Sequence, residues 1–148
     1  MADTLRQVSF ERLANSSYEV RNARGGTIRV GSGGEATDFT PVELLLAAIG
    51  TCSAIDVDMV VSRRAEPTEF RATVRGDKIR DAEEGNRMEN LVVEFTVHFP
   101  EGADGDKARE ALPRTVKMSH DRLCTVSRTV EIGTPVTTTV NEGSGPNL

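Results

Sequence analysis

Cys52, His98, His120 and Cys124 are the residues of this chain best suited to bond-making chemistry. Neither C-x₂-C nor H-x₃₋₅-H spacing occurs among them, so a zinc site is not expected. No C-x-x-C pair exists either, which excludes a thioredoxin-type motif. Ser53 and Ser127 have no base at motif spacing, so a serine hydrolase is unsupported. Two distant thiols retain one reaction class if folding brings their Cα atoms to about 4.4–6.8 Å. One thiolate attacks a peroxide oxygen and becomes a sulfenic acid. The second thiol condenses with it to a disulfide, and an external dithiol restores both. The alternative is two inert thiols buried as small hydrophobes, with their sulfurs far apart. His120, four residues before Cys124, is a candidate base or simply a polar helix start. His98 falls on the polar side of a strand, exposed or paired.

These residues need elements to place them. Residues 1–34 read as a β-meander. Val8 and Phe10, Tyr18 and Val20, and Ile28 and Val30 alternate with polar residues, and Asn15-Ser16-Ser17 and Arg24-Gly25-Gly26 supply the turns. Residues 40–64 read as a central helix. Thr40-Pro41-Val42-Glu43 is a capping box with proline at the first helical position. Leu45, Ala48, Cys52, Ile55 and Met59 form one apolar stripe, and further apolar residues widen it to a helix buried on most sides. Residues 68–140 form the second half. Strands are expected around Phe70–Val74 and Leu91–Phe99, flanking a charged exposed loop over Asp77–Asn90. A helix capped at Asp104–Asp106 should run from Lys107 to Met118 and kink or divide at Pro113. A short helix from His120 to Val130 should carry Cys124 and end at Gly133, before a last strand through Val136, Thr138 and Val140. Residues 141–148 read as a frayed tail. The order β-β-β-α-β-β-α-α-β is α+β, with antiparallel sheets around one helix. One thin sheet covers one side of so apolar a helix, so a second copy is expected to cover another.

Composition bounds the partners. The 148 residues suit one domain. A net charge of −5 and a pI near 5.1, without a basic tract, argue against nucleic acid. No run of about 18 apolar residues is visible, so no membrane span is expected. MADTLRQVSF has no apolar signal region, which points to a cytoplasmic, reducing setting where a structural disulfide is not expected.

The run Thr40-Pro41-Val42-Glu43-Leu44-Leu45-Leu46-Ala47-Ala48-Ile49-Gly50-Thr51-Cys52-Ser53-Ala54-Ile55-Asp56-Val57 resembles the central-helix signature of the OsmC/Ohr superfamily. These are osmotically inducible and organic hydroperoxide resistance proteins. Cys124-Thr125-Val126-Ser127 resembles the family's second motif, C-x-[VY]-S, and the resemblance spans roughly residues 8–140. It implies an OsmC-like fold, an intertwined homodimer, and an organic hydroperoxide substrate. Cys52 would be the peroxidatic thiol and Cys124 the resolving thiol, with an external dithiol reductant of lipoyl or other type. No cofactor and no metal are expected. Leu45, Ile49, Ile55 and Met59, with partner-chain residues, would receive the substrate's alkyl group. The other reading on the same scaffold is a non-enzymatic redox-sensing or small-hydrophobe-binding dimer. The family's hydroperoxide reductases carry a Glu directly after the helix-opening Pro. Here Val42 stands there, and Glu43, one residue on, is rotated by about 100°. Glu43 is therefore a catalytic candidate or only a cap. Those enzymes also hold the thiolate with an Arg after the first strand. This chain has Leu13-Ala14-Asn15-Ser16-Ser17 there, with Arg12, Arg21, Arg24 and Arg29 nearby. A mid-helix Cys52 lacks a helix N-terminus of its own and would need such a cation, while Asp56, one turn on, would raise its pKa. The P-x-E-L opening and C-S-A-I-D-V match the OsmC-like branch of the family.

Overall fold

The computed structural model describes residues 3–142. Its first unit is a three-stranded antiparallel sheet of β1 (Val8–Ala14), β2 (Ser17–Asn22) and β3 (Thr27–Gly31), in that order. The register pairs Phe10 with Val20 and Tyr18 with Val30. Asn22 shapes the second turn, its side-chain oxygen accepting the N–H groups of Arg24 and Gly26 at 3.0 and 2.9 Å. All seven residues of β1 are exposed, Phe10 at 64%. The meander is thus present, but among the described residues nothing covers its outer strand.

α1 (Pro41–Val61) follows, opened by the expected capping box. Its buried residues are Ile49, Gly50, Ser53, Val57 and Val61, stepping along one face. The expected stripe is therefore rotated. Ile55 and Met59 are 60% and 59% exposed, and within one chain the helix is covered on one side only. α1 is also long and apolar enough to cross a membrane by length and composition alone, although Glu43, Asp56 and Asp58 interrupt any unbroken apolar run. In this structure it packs instead on its neighbours in a globular fold.

β4 (Glu69–Asp81) and β5 (Gly85–His98) make one long antiparallel hairpin. The charged stretch over residues 77–90 is mostly ladder, not loop. A bulge separates Arg75 from Asp77, and pairing resumes from Asp77↔Glu89 to Asp81↔Gly85. The charges pair across the ribbon. Arg87 reaches Asp81 of β4 at 3.4 Å, and Asn90 donates to Asp77 at 2.8 Å. Asp81 caps the tight turn, accepting from Glu83 and Glu84. Alternation of charged and apolar residues on a two-sided wet ribbon hides a strand from a reading based on hydrophobicity.

α2 (Ala103–Met118) begins four residues before the expected Lys107 and has no side-chain cap at Gly102. It runs on through the exposed Pro113 without dividing. Gly105 lets it close on the preceding chain, where a Cβ would lie 1.8 Å from the Pro100 carbonyl oxygen. The core forms where α2 meets α1 and the hairpin: Val57, Val61, Phe99 and Ala108, with Phe70, Val97 and Leu112 packed around them. After α2 the chain does not continue as one helix over 120–130. Ser119–Leu123 widens to a π turn, Cys124 is extended (φ −70°, ψ 99°), and α3 (Thr125–Ile132) starts beyond it. No strand forms over residues 134–142, and Val136 and Val140 are 90% and 78% exposed. A strand needs a neighbour to pair with, and the described residues offer that segment none. The rest of the expected tail, residues 143–148, lies outside the described residues. The fold is α+β: two antiparallel sheets with α1 as the central helix.

Candidate functional site

The two cysteines come together although 71 residues of chain lie between them. The thiols of Cys52, on α1, and Cys124, at the start of α3, are close enough that Cys124 raises the Cys52 pKa. Both are free thiols; Cys52 is half-buried and Cys124 has no exposed surface. Thiols this close do not fit the expectation of widely separated sulfurs.

The break between the π turn and α3 makes the arrangement possible. Cys124 is the N-cap of α3, not a residue inside a helix. Its sulfur accepts the Ser127 N–H at 3.4 Å, stands 3.3 Å from Ser127 Oγ, and lies 4.0 Å from the Ile49 carbonyl oxygen. The amides of Val126 and Thr125, the two before Ser127 in α3, lie close enough to the Cys52 sulfur to lower its pKa. The first three N–H groups of α3, which have no partner within the helix, thus all lie near a sulfur. Cys52 has a helix N-terminus after all, supplied by α3 rather than by its own helix.

Burial is the largest influence on Cys52 and pushes its pKa up. The Val126 and Thr125 amides pull it down, the neighbouring Cys124 thiol adds to the rise, and the pKa stands above the ordinary thiol value. Among the described residues, no arginine contributes. Arg12, Arg21 and Arg29 sit on the first sheet and Arg24 in its turn. Asp56 does not act on Cys52 either. Its carboxylate is turned to Ser119, 2.8 Å from Oγ.

The other candidates have partners of their own. Glu43 Oε1 accepts the Thr40 N–H at 3.0 Å and Thr40 Oγ1 accepts the Glu43 N–H at 3.2 Å; the Thr40 side chain and then its backbone N–H, acting on the carboxylate, hold the Glu43 carboxyl below its usual pKa. His120 is bonded through Nδ1 to Asp121 at 2.9 Å and through Nε2 to Glu131 at 2.8 Å, which raises its pKa. Both ring nitrogens are engaged away from Cys124. His98 pairs with Glu69 at 2.8 Å. Of the expected alkyl wall, Ile49 is buried beside Cys124 and Leu45 is half-buried, while Ile55 and Met59 face outward on the Cys52 side of α1. A pocket of ≈ 400 Å³ lies behind the thiols, between Ile49 and Ser53 of α1, Leu91, Val93 and Phe95 of β5, and Val130 of α3. Among the described residues no group of three or more His, Cys, Asp or Glu could hold a metal ion.

Sequence reading missed two features here. One is the pair of α3 amides, which follows from the helix break. The other is the buried polar set Ser53, Asp56 and Ser119. Its trace in the sequence is Ser53 and Asp56, two polar residues one and four positions after Cys52 on a mostly apolar helix.

Comparison with known proteins agrees with the fold. The chain is similar to an uncharacterised protein of Mycobacterium tuberculosis, 29% identical over 130 residues, covering 88% of this chain and 92% of that one. A hypothetical protein from Aquifex aeolicus has a similar structure, with a TM-score of 0.70 at 22% identity over 89% of this chain and 91% of that chain. An organic hydroperoxide resistance protein OsmC from Legionella pneumophila superposes with a TM-score of 0.56 at 17% identity, over 88% and 91% of the two chains. The family model described as OsmC-like protein matches residues 33–139, which include both cysteines and all of α1, β4, β5, α2 and α3, and the chain belongs to that family.

Proposed function

We propose that the protein is a thiol-dependent peroxidase of organic hydroperoxides. The Cys52 thiolate attacks the distal oxygen of ROOH. The O–O bond breaks, the alkoxide leaves and takes a proton as ROH, and Cys52 becomes a sulfenic acid. The Cys124 thiol then attacks the Cys52 sulfur. A disulfide forms, and the hydroxyl leaves as water with the Cys124 proton. An external dithiol, of lipoyl or other type, reduces the disulfide and is itself oxidised. The observation that supports this reading is one half-buried thiol in reach of a fully buried one, both facing the amides at the start of α3. The amides stabilise the attacking thiolate, as helix N-termini do for other reactive cysteines. The name carried by the Legionella relative supports the choice of substrate.

The working unit in this proposal is a cytoplasmic homodimer. The apolar side chains left exposed on β1 and on the Cys52 side of α1, Phe10, Ile55 and Met59 among them, are where a second copy would pack and complete an alkyl-binding wall. A second reading, a slow redox-sensing dimer, is favoured by one observation: burial raises the Cys52 pKa, with no arginine to offset it among the described residues.

The test is steady-state turnover of cumene hydroperoxide with dihydrolipoamide. Wild type should turn over. Cys52→Ser should be inactive, and Cys124→Ser should consume peroxide without forming the disulfide. Wild-type activity no greater than that of Cys52→Ser overturns the peroxidase. Stoichiometric oxidation of the pair without turnover selects the sensor.

A further inference from the structure

A buried polar cluster adjoins the thiol pair and takes no part in the steps above. Ser119 has no exposed surface and Ser53 is 7% exposed. Ser119 Oγ stands 2.8 Å from Asp56 Oδ2 and 3.1 Å from Ser53 Oγ. A carboxylate only accepts, so the Ser119 hydroxyl donates to Asp56 and the Ser53 hydroxyl donates to Ser119. The rest of Ser119 is equally committed. Its N–H returns to the Thr115 and Val116 carbonyls of α2. Its carbonyl accepts the Cys124 N–H at 2.8 Å, across the π turn. Three groups of one residue therefore tie together the end of α2, the middle of α1 and the N-cap of α3. Cys52 lies one residue before Ser53 and one turn before Asp56, so both thiols are held to this cluster through short stretches of backbone.

Apolar packing alone would hold α2 against α1. A hydrogen-bonded cluster adds direction, because donor and acceptor must align and an unmade bond in a buried place is costly. The π turn adds a second sign, since such widened turns occur mainly where a site demands them. We propose that Ser119, fixed by Asp56 and Ser53, is a positioning residue for Cys124, setting its approach to Cys52 and so governing disulfide closure rather than attack on peroxide. The closing step is the one written above: Cys52–SOH and Cys124–SH give the disulfide and water. Its two sulfurs must close from neighbouring but unbonded positions to about 2.05 Å. A small misplacement of the attacking thiol lowers that rate steeply. Peroxide attack needs only Cys52 and the α3 amides.

The kinetic part rests on the peroxidase reading. The equilibrium part needs only that the two cysteines form a disulfide. Both are read on the full chain in Ser119→Ala, Asp56→Ala and Asp56→Asn, the last keeping an oxygen that accepts from Ser119. The measurements are the rate of cumene hydroperoxide consumption in a single turnover, the rate of disulfide closure by quenched mass analysis with dimedone trapping of sulfenic acid, and the reduction potential in glutathione buffers. Ser119→Ala and Asp56→Ala should close the disulfide about tenfold or more slowly and accumulate trapped sulfenic acid. Their disulfide equilibrium should shift about tenfold toward the dithiol, which is about 30 mV for this couple. Peroxide consumption should stay within about twofold of wild type, and Asp56→Asn should restore most of the closure rate. Unchanged closure and potential in both alanine variants overturn the proposal, and so does equal slowing of both steps, which marks general loosening. If Ser119→Ala does not fold, the contrast between Asp56→Ala and Asp56→Asn decides. If wild type leaves peroxide untouched, the peroxidase reading fails and the potential alone decides the positioning role.

Discussion

At the start of α1, Thr40 Oγ1 takes the Glu43 N–H at 3.2 Å and Glu43 returns a bond to the Thr40 N–H at 3.0 Å. At the start of α3, sulfur stands where oxygen stood: Cys124 takes the Ser127 N–H at 3.4 Å. The next two amides there, of Val126 and Thr125, lie near Cys52, from far along the chain, and lower its pKa. Both helices face the same problem, since the first-turn N–H groups of any helix have no partner inside it. α1 solves it within four residues and faces water. α3 leaves its donors for two thiols, one brought from far along the chain. A sealed N-terminus has only its helix to stabilise, whereas an open one retains a positive field that another group can use.

The largest consequence is in the reactivity of the two sulfurs. Burial holds the Cys52 pKa above the ordinary thiol value of about 8.5. Below its pKa, the thiolate fraction grows tenfold per pH unit. Alkylation of Cys52 by iodoacetamide should therefore climb about a hundredfold from pH 7 to pH 9 without levelling at 8.5. Cys124, with no exposed surface, should remain unmodified over that range while the protein is folded. Mass mapping of the labelled residue at each pH checks both. A plateau near neutral pH, or equal labelling of the two cysteines, contradicts the described environment.

The open N-terminus can be altered without unwinding its helix. Thr125 is the first residue of α3, the position at which proline is tolerated, and Cys124 before it is already extended. Thr125→Pro deletes one amide directed at Cys52 and leaves the Ser127 amide on Cys124. An amide hydrogen bond to a charged acceptor is worth about 1.5 kcal/mol, so the rate of Cys52 alkylation at pH 7 should drop about tenfold. The reagent's rate with free cysteine serves as control, and far-UV circular dichroism should be unchanged. An unaltered rate would mean that the amides do not stabilise the thiolate.

The same contrast explains what the chain made legible. α1 was readable because its signals are local: Thr40-Pro41-Val42-Glu43 is a cap by residue type and spacing, and the run to Val61 is continuous. Which face of α1 is buried was not, because that depends on α2 and β4, far along the chain. The buried face passes through Ile49, Ser53 and Val57, and leaves Ile55 and Met59 outside. The hairpin beyond Asp77 was hidden because it is held by cross-strand pairs such as Arg87 with Asp81 and Asn90 with Asp77, which periodicity does not record. The segment from Val136 to Val140 alternates like a strand but has no partner strand here. At the site, both cysteines were legible from motif and position. The helix break at Cys124, the amides it frees and the Ser53, Asp56 and Ser119 cluster were not. They come from a π turn whose cause is tertiary, the three-way anchoring of Ser119.

The sealed N-terminus gives the smallest effect and the cleanest control. Thr40→Ala removes the side chain that accepts the Glu43 N–H, and loss of such a cap costs about 1 kcal/mol. Urea unfolding should show that loss at pH 7, with the m-value unchanged. The Glu43 carboxyl also enters through pH. Its bonds to Thr40 hold its pKa below the usual value of 4.5. Its contribution to stability is thus present above pH 4.5 and is lost as pH falls through the lower, folded pKa. Because the largest of those bonds is to the Thr40 side chain, Thr40→Ala should flatten the fall in stability below pH 4.5 as well as lower the plateau above it. Cys52 alkylation should be unchanged in this variant at every pH, since no donor of the α1 N-terminus reaches either sulfur. A change in Cys52 reactivity on Thr40→Ala would join the two N-termini into one device, and the distinction between a sealed helix start and an open one would fail.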